Sequence, residues 1–266
     1  MKLPLYFKFK AFLFLCLIHL NSVSQDSDIQ DLVFYTNENC PFLLTETIVN
    51  SSVYCLEYFA VEYNSNRNST ILTIHKITPD QLLLEGSRIK AKRLSNFRPI
   101  YINGVLSRNN YDYQGTGYDR GHLVPAGDFV WNQNAKDQTF YHVNITHQKD
   151  FLNRGRWAGL ENQIRNKVLE INEEALVITG IYFSDNDIDQ IGPNQVDIGE
   201  AFYKILYFPR THEVFSWLML NEINSEEDIK ASQISINQLE ALTRRNFLEK
   251  LPDEIEDNIE MKVNEF

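Results

Sequence analysis

The stretch from Tyr118 to Arg165 constrains this chain more than any other. It crowds Asp119-Arg120-Gly121-His122, Asn144, Leu152-Asn153-Arg154-Gly155, Trp157, Glu161 and Arg165 between segments patterned for strand and helix. A core built only for stability has no use for so many polar groups, because each one buried needs a partner. The stretch therefore reads as chemistry carried on a scaffold.

The scaffold is mixed. Tyr58 to Tyr63 and Thr70 to Ile77 alternate in strand fashion around a polar turn, Asn64 to Asn68, which predicts a hairpin. Phe140 to Thr146 reads as a strand with Phe140, His142, Asn144 and Thr146 on one face. Trp157, Leu160, Ile164, Val168 and Ile171 recur at helical spacing, so Arg156 to Ile171 reads as a helix. Ala175 to Phe183 is a buried strand. Phe202 to Phe208 and Glu213 to Leu220 form a second strand pair. Ser235 and Gln238 make a capping box that opens a helix to about Phe247. Pro79 to Tyr113 looks irregular and carries Arg88, Lys90, Lys92, Arg93 and Arg98. The tail after Leu-Pro at 251–252 is strongly acidic and is expected to fray. With no internal repeat and no linker, one α+β domain is the simplest organisation.

The N-terminus has a different character. Lys2, Lys8 and Lys10 precede the apolar run Ala11 to Leu20, and Ser22-Val23-Ser24 follows with small residues. This is the pattern of a secretory signal peptide, residues 1–24, too short to span a bilayer. It predicts a secreted or periplasmic protein with no membrane segment after cleavage. Residues 25–55 would then be a lead-in to a domain over 56–252, and 253–266 an acidic tail. Loss of the three lysines takes the net charge from −11 to −14. Cys40 and Cys55 remain, and two thiols in an exported chain are expected to pair. Closing that loop of about 16 residues is worth roughly 3 kcal/mol in the chain-entropy picture. Zinc is not expected, because there is no CxxC and no cysteine near the histidines.

The acidic balance excludes a globally basic nucleic-acid binder but not a local positive field. Lys149, Arg154, Arg156, Arg165 and Lys167 outnumber Asp150 and Glu161. On the predicted helix Glu161 and Arg165 stand four apart, so their side chains should meet. Asn153 precedes Glu161 by roughly two turns, toward the same side. A carboxamide, a carboxylate and a guanidinium on one edge can bind a hydrated cation beside a phosphate. His142 and His147 are read as structural. The sequon at Asn144-Ile145-Thr146 is discounted because its Asn faces the site.

In order, DRGH with LVPAGDF, then NITHQ, then LNRGRWAGLE resembles the DNA/RNA non-specific endonuclease family. The likeness runs from roughly residue 70 to 250. It implies a ββα-metal, or His-Me finger, fold: α+β with a central, mainly antiparallel sheet flanked by helices. It also implies endonucleolytic cleavage of DNA or RNA leaving 5′-phosphate ends. Carried onto this sequence, His122 is the general base, and Asn153 is the direct ligand of one Mg²⁺, for which Mn²⁺ can substitute. Glu161 holds the cation's waters, Asn144 orients the site and Asp119 supports its geometry. Arg120 and Arg165 contact the scissile phosphate. Arg93 and Arg154 are further substrate-binding candidates. Oligomeric state is not legible, and a homodimer stays open. Two rival readings share these residues: a secreted nucleic-acid-binding protein without catalysis, and a phosphodiesterase acting on small nucleotides.

Overall fold

The computed structural model describes residues 48–84, 91–94, 96–102, 105, 109–184, 189–222 and 228–266. The expected signal peptide, Cys40, Arg88 and Lys90 lie outside them.

Six strands form one antiparallel sheet in the order β1-β2-β3-β6-β9-β10. They are β1 (Ser51–Cys55), β2 (Phe59–Asn64), β3 (Ser69–Ile77), β6 (Ala175–Tyr182), β9 (Ala201–Phe208) and β10 (Glu213–Leu220). The short β7 (Gln190–Ile191) and β8 (Val196–Asp197) pair with each other, and α1 (Pro79–Leu83) and α2 (Gln133–Gln138) are short helices. The β2–β3 hairpin and the β9–β10 pair sit where their alternation places them, with a register shift between Glu62 and Tyr63. The segment read as a lead-in ends inside the sheet, because β1 pairs with β2 from Ser51 to Cys55.

Both faces of the sheet are covered, which explains why β9, AFYKILYF, is buried at every position. Its odd and even residues serve different cores. Phe202, Leu206 and Phe208 join Trp157, Leu160, Ile164 and Val168 of the following helix on one face. Tyr203, Ile205 and Tyr207 join Ile236, Leu239, Phe247 and Leu248 on the other. Each large apolar side chain so buried contributes about 1.5–3 kcal/mol.

On the first face a short antiparallel pair, β4 (Asp119–His122) and β5 (Ile145–Gln148), leads into α3 (Ala158–Ile171). The bare Gly121 makes room for the Gln148 side chain across the pair, whose Oε1 would lie 2.0 Å from an added Cβ. Before α3 the chain makes a π-type turn, Leu152–Trp157, in which Gly155 leaves helical geometry at φ −101°, ψ −105°. Helical phase is therefore not continuous from Asn153 to Glu161. Asn172 in the left-handed region ends α3.

Two further expectations need correction. The strand read over Phe140 to Thr146 is a 3₁₀ turn at His142–Asn144 followed by β5, so Asn144 is not a strand residue. The acidic tail does not fray: it forms α5 (Asp253–Glu260). Ile255 and Ile259 pack on the second core, and the Phe266 ring lies 4.6 Å from Trp217. Ser235 caps α4 (Ile236–Thr243) through the capping box, and the helix stops at Arg244 in the left-handed region, short of Phe247. Among the described residues no helix is long and apolar enough to cross a membrane.

Candidate functional site

Strand β4 carries the site at both ends. At its start, Asp119 accepts from Asn153 Nδ2 at 2.9 Å and from Arg154 Nε and Nη2 at 2.7 and 2.6 Å. The Arg154 hydrogen bonds hold the Asp119 carboxyl below its usual range against partial burial, with Asn153 helping. This bond fixes the Asn153 amide nitrogen, and nothing among the described residues donates to its carbonyl oxygen. Arg154 is otherwise exposed.

At the other end of β4 stands His122, walled by Phe97 at 5.4 Å and Phe140 at 5.0 Å between ring centroids. Its Nε2 is buried with no hydrogen-bond partner. Burial, then the charge of Arg93, push the imidazole down to about 3. The ring is therefore neutral at ordinary pH and has a lone pair to offer a proton. Arg93 lies over Phe140, at 5.3 Å from the ring centre. Arg120 lies over Phe97 at 4.8 Å and donates from Nη1 to Asn110 Oδ1 at 2.8 Å. Two aromatic rings thus place two cations around the histidine.

Glu161 and Arg165 do not pair as their spacing suggests. The cation nearest Glu161 is Lys204, whose Nζ is 4.0 Å from Oε1. Burial, opposed by Lys204, raises the Glu161 carboxyl to about 7, and burial lowers the Lys204 ammonium to about 8. No described residue donates a hydrogen bond to the Glu161 carboxylate. Arg165 is claimed by Asp128 Oδ1 at 2.6 Å and by Asn162 Oδ1 at 2.5 Å. Asp128 in turn accepts from His75 Nε2 at 2.8 Å. Burial alone would raise Asp128, but His75 and Arg165 outweigh it and the carboxyl is lowered. Gly127 leaves room for this guanidinium, since an added Cβ would sit 2.9 Å from Nη1.

Asn144 is fully buried. Its Oδ1 accepts from Val124 N, and its Nδ2 donates to Val124 O and Thr139 O, each at 2.9 Å. It pins the turn that follows His122, and its amide nitrogen has no N–H left for a ligand or a glycan. His142 and His147 are buried, His147 donating from Nε2 to Asp112 O at 2.9 Å and stacked 4.3 Å from Tyr113.

Sequence reasoning missed Lys204 and Asp128. The signal for Lys204 was present: one lysine inside an otherwise apolar, doubly buried strand. Asp128 gave less, because turn aspartates are common.

The donor set can be tested against a divalent cation. No group of three His, Cys, Asp or Glu suited to hold a metal occurs among the described residues. A cation here would therefore keep most of its shell as water, which suits Mg²⁺. The free Asn153 oxygen offers one direct ligand, and the Glu161 carboxylate, with no donors of its own, offers acceptors for bound waters. The residues fit a hydrated Mg²⁺.

A family profile described as DNA/RNA non-specific endonuclease matches residues 44–254. Human mitochondrial endonuclease G is 29% identical over 160 residues, covering 56% of this chain and 52% of that protein. Nuclease C1 of Cunninghamella echinulata var. echinulata is 30% identical over 208 residues, covering 73% of this chain and 82% of that protein. Against the human and bovine mitochondrial endonuclease G proteins, the chain spans about half their length. A chain in the crystal structure of the EndoG/EndoGI complex superposes with a TM-score of 0.66 at 22% identity, over 76% of this chain and 87% of that one. That likeness identifies the ββα-metal fold, and with it the antiparallel sheet flanked by helices.

Asn144→Ala removes three buried hydrogen bonds and strands the Val124 peptide. The expected cost is about 2–4 kcal/mol of unfolding free energy, read from chemical denaturation. An unchanged denaturation midpoint with lost nuclease rate would instead put the carboxamide in the chemistry.

Proposed function

The chain belongs to the DNA/RNA non-specific endonuclease family, and we propose that it is a secreted, Mg²⁺-dependent endonuclease that hydrolyses DNA and RNA without sequence preference. The observation that carries this reading is a strand β4 that bears at one end a buried His122 whose Nε2 has no partner, and at the other an Asp119 that fixes the amide nitrogen of Asn153.

In this reading His122 takes a proton from the attacking water. Asn153 holds the Mg²⁺, and Glu161 accepts from its waters. The bound cation supplies charge stabilisation to the phosphate and to the leaving 3′ oxygen. Arg120 and Arg93, set on Phe97 and Phe140, meet the substrate phosphates. Arg165 acts from a fixed place, since Asp128 and Asn162 bind its two Nη atoms. None of these contacts reads a base edge, so cleavage should show little sequence preference.

Secretion rests on the N-terminal segment alone. Several relatives are named as mitochondrial proteins, so the compartment needs its own test. Cys55 is disulfide-bonded, which supports its pairing with Cys40 in an oxidising compartment. Protein purified from its native compartment should begin at Gln25 and show no free thiol after denaturation without reductant. Two free thiols, or an uncleaved N-terminus, would count against export.

Activity is tested on supercoiled plasmid and on a structureless RNA. Both should be degraded to a smear in Mg²⁺, spared in EDTA and degraded again when Mg²⁺ is restored. The rate should fall steeply with salt as phosphate contacts release counterions. Cleavage that persists in EDTA, or discrete fragments at partial digestion, would refute the reading. Retention of nucleic acid without degradation would favour the non-catalytic binder.

A further inference from the structure

We propose that Lys204 is a positioning residue of this site: its buried ammonium ties the turn after His122 to Glu161 and leaves the Glu161 oxygens free for the waters of a bound cation. This rests on the reading of Glu161 as the partner of those waters.

Lys204 is 0% exposed and stands on the face of β9 that carries Phe202 and Leu206. Its neighbours across the sheet are Thr179 on β6 and Trp217 on β10. A bare ammonium in such surroundings is strongly unfavourable, and apolar replacement of a whole buried ion pair is often neutral or stabilising. Packing alone therefore gives no reason for a lysine there.

Its contacts give one. The ammonium has three donors. One reaches Thr179 Oγ1 at 2.7 Å and another reaches the Leu123 carbonyl at 3.3 Å. The Trp157 ring lies beneath it, 4.6 Å from Nζ. Leu123 follows His122 directly, and its N–H is held by the Asn144 carbonyl at 3.0 Å. Lys204 thus touches the arm that carries the histidine.

The remaining direction points to Glu161 Oε1 at 4.0 Å. That is too long for a hydrogen bond but close enough for a strong field in a low-dielectric setting. A lysine seated at hydrogen-bond distance would occupy a lone pair of the carboxylate. At 4.0 Å it favours the charged carboxylate and occupies none of its acceptor sites. Thr179 sets that distance by holding Nζ back toward the sheet.

The test uses the full mature protein and Mn²⁺ alone as the probe, with affinity read by titration calorimetry. Lys204→Met leaves Glu161 buried without its cation, so it should fold with a lowered melting temperature and bind Mn²⁺ ~10–100-fold more weakly, the loss typical of an outer-shell partner. Glu161→Gln should lose a similar factor. The double variant should be no weaker than Glu161→Gln within about twofold, because the two residues act through one contact. Thr179→Val keeps the lysine but removes the hydroxyl that fixes it, and should weaken binding several-fold; it decides the matter if Lys204→Met does not fold. Wild-type affinity in Lys204→Met or in Thr179→Val, or losses that multiply in the double variant, would overturn the proposal. Wild-type affinity in Glu161→Gln would overturn the role given to Glu161, and the proposal with it.

Discussion

A charged group taken out of water must be met on every side by something that can hold it, and the face of this sheet that carries the candidate site is organised around that requirement. Asp128 lies between His75 and Arg165. Lys204 is shared among Thr179, Leu123 and Glu161. Each set joins the sheet to α3, and the Lys204 set also reaches the residue after His122. Removing one member leaves another buried and unpaired, which costs 3–5 kcal/mol in typical cases. The polar groups therefore fix one another in place. The second face uses the same device once, where Arg245 forks onto Glu62 at 2.7 and 3.0 Å.

Other groups of the candidate site are left open. His122 Nε2 is buried without a partner, and no described residue donates to the Asn153 carbonyl oxygen or to the Glu161 carboxylate. These are the atoms the site leaves open to a ligand. The aromatic walls of Phe97 and Phe140 add to this by keeping the histidine neutral and by seating Arg120 and Arg93 over their rings. The acidic balance of the chain does not prevent a positive field near His122, where Arg93 and Arg120 sit over the two rings.

Much of this was legible because it is local. The hairpin, the β9–β10 pair and the Ser235 cap follow from alternation and from a four-residue signature. The order of DRGH, NITHQ and LNRGRWAGLE pointed to the family and the fold, and named the residues of the candidate site. What failed depended on distant partners. Asn144 sits in a strand-friendly sequence, but its hydrogen bonds to Val124 and Thr139 draw the chain into a turn. The rule that pairs residues four apart sees only the helix, and buried groups from the sheet and the β4 loop outbid the surface pair of Glu161 and Arg165. Charge count suggested a frayed tail because it ignores spacing: Ile255 and Ile259 lie on one helical side and seat on the core.

The central claim is a division of labour between His122, which moves the proton, and Asn153, which holds the cation. Nuclease rate measured against Mg²⁺ concentration for His122→Ala and Asn153→Ala tests it most directly. The account predicts a loss of ~10²–10⁴-fold for His122→Ala with an unchanged half-saturating Mg²⁺ concentration. It predicts a raised half-saturating concentration for Asn153→Ala, with rate partly recovered at high Mg²⁺. A His122→Ala protein that keeps more than about a tenth of the wild-type rate, against the loss expected for a general base, or an Asn153→Ala protein with wild-type Mg²⁺ dependence, would contradict it.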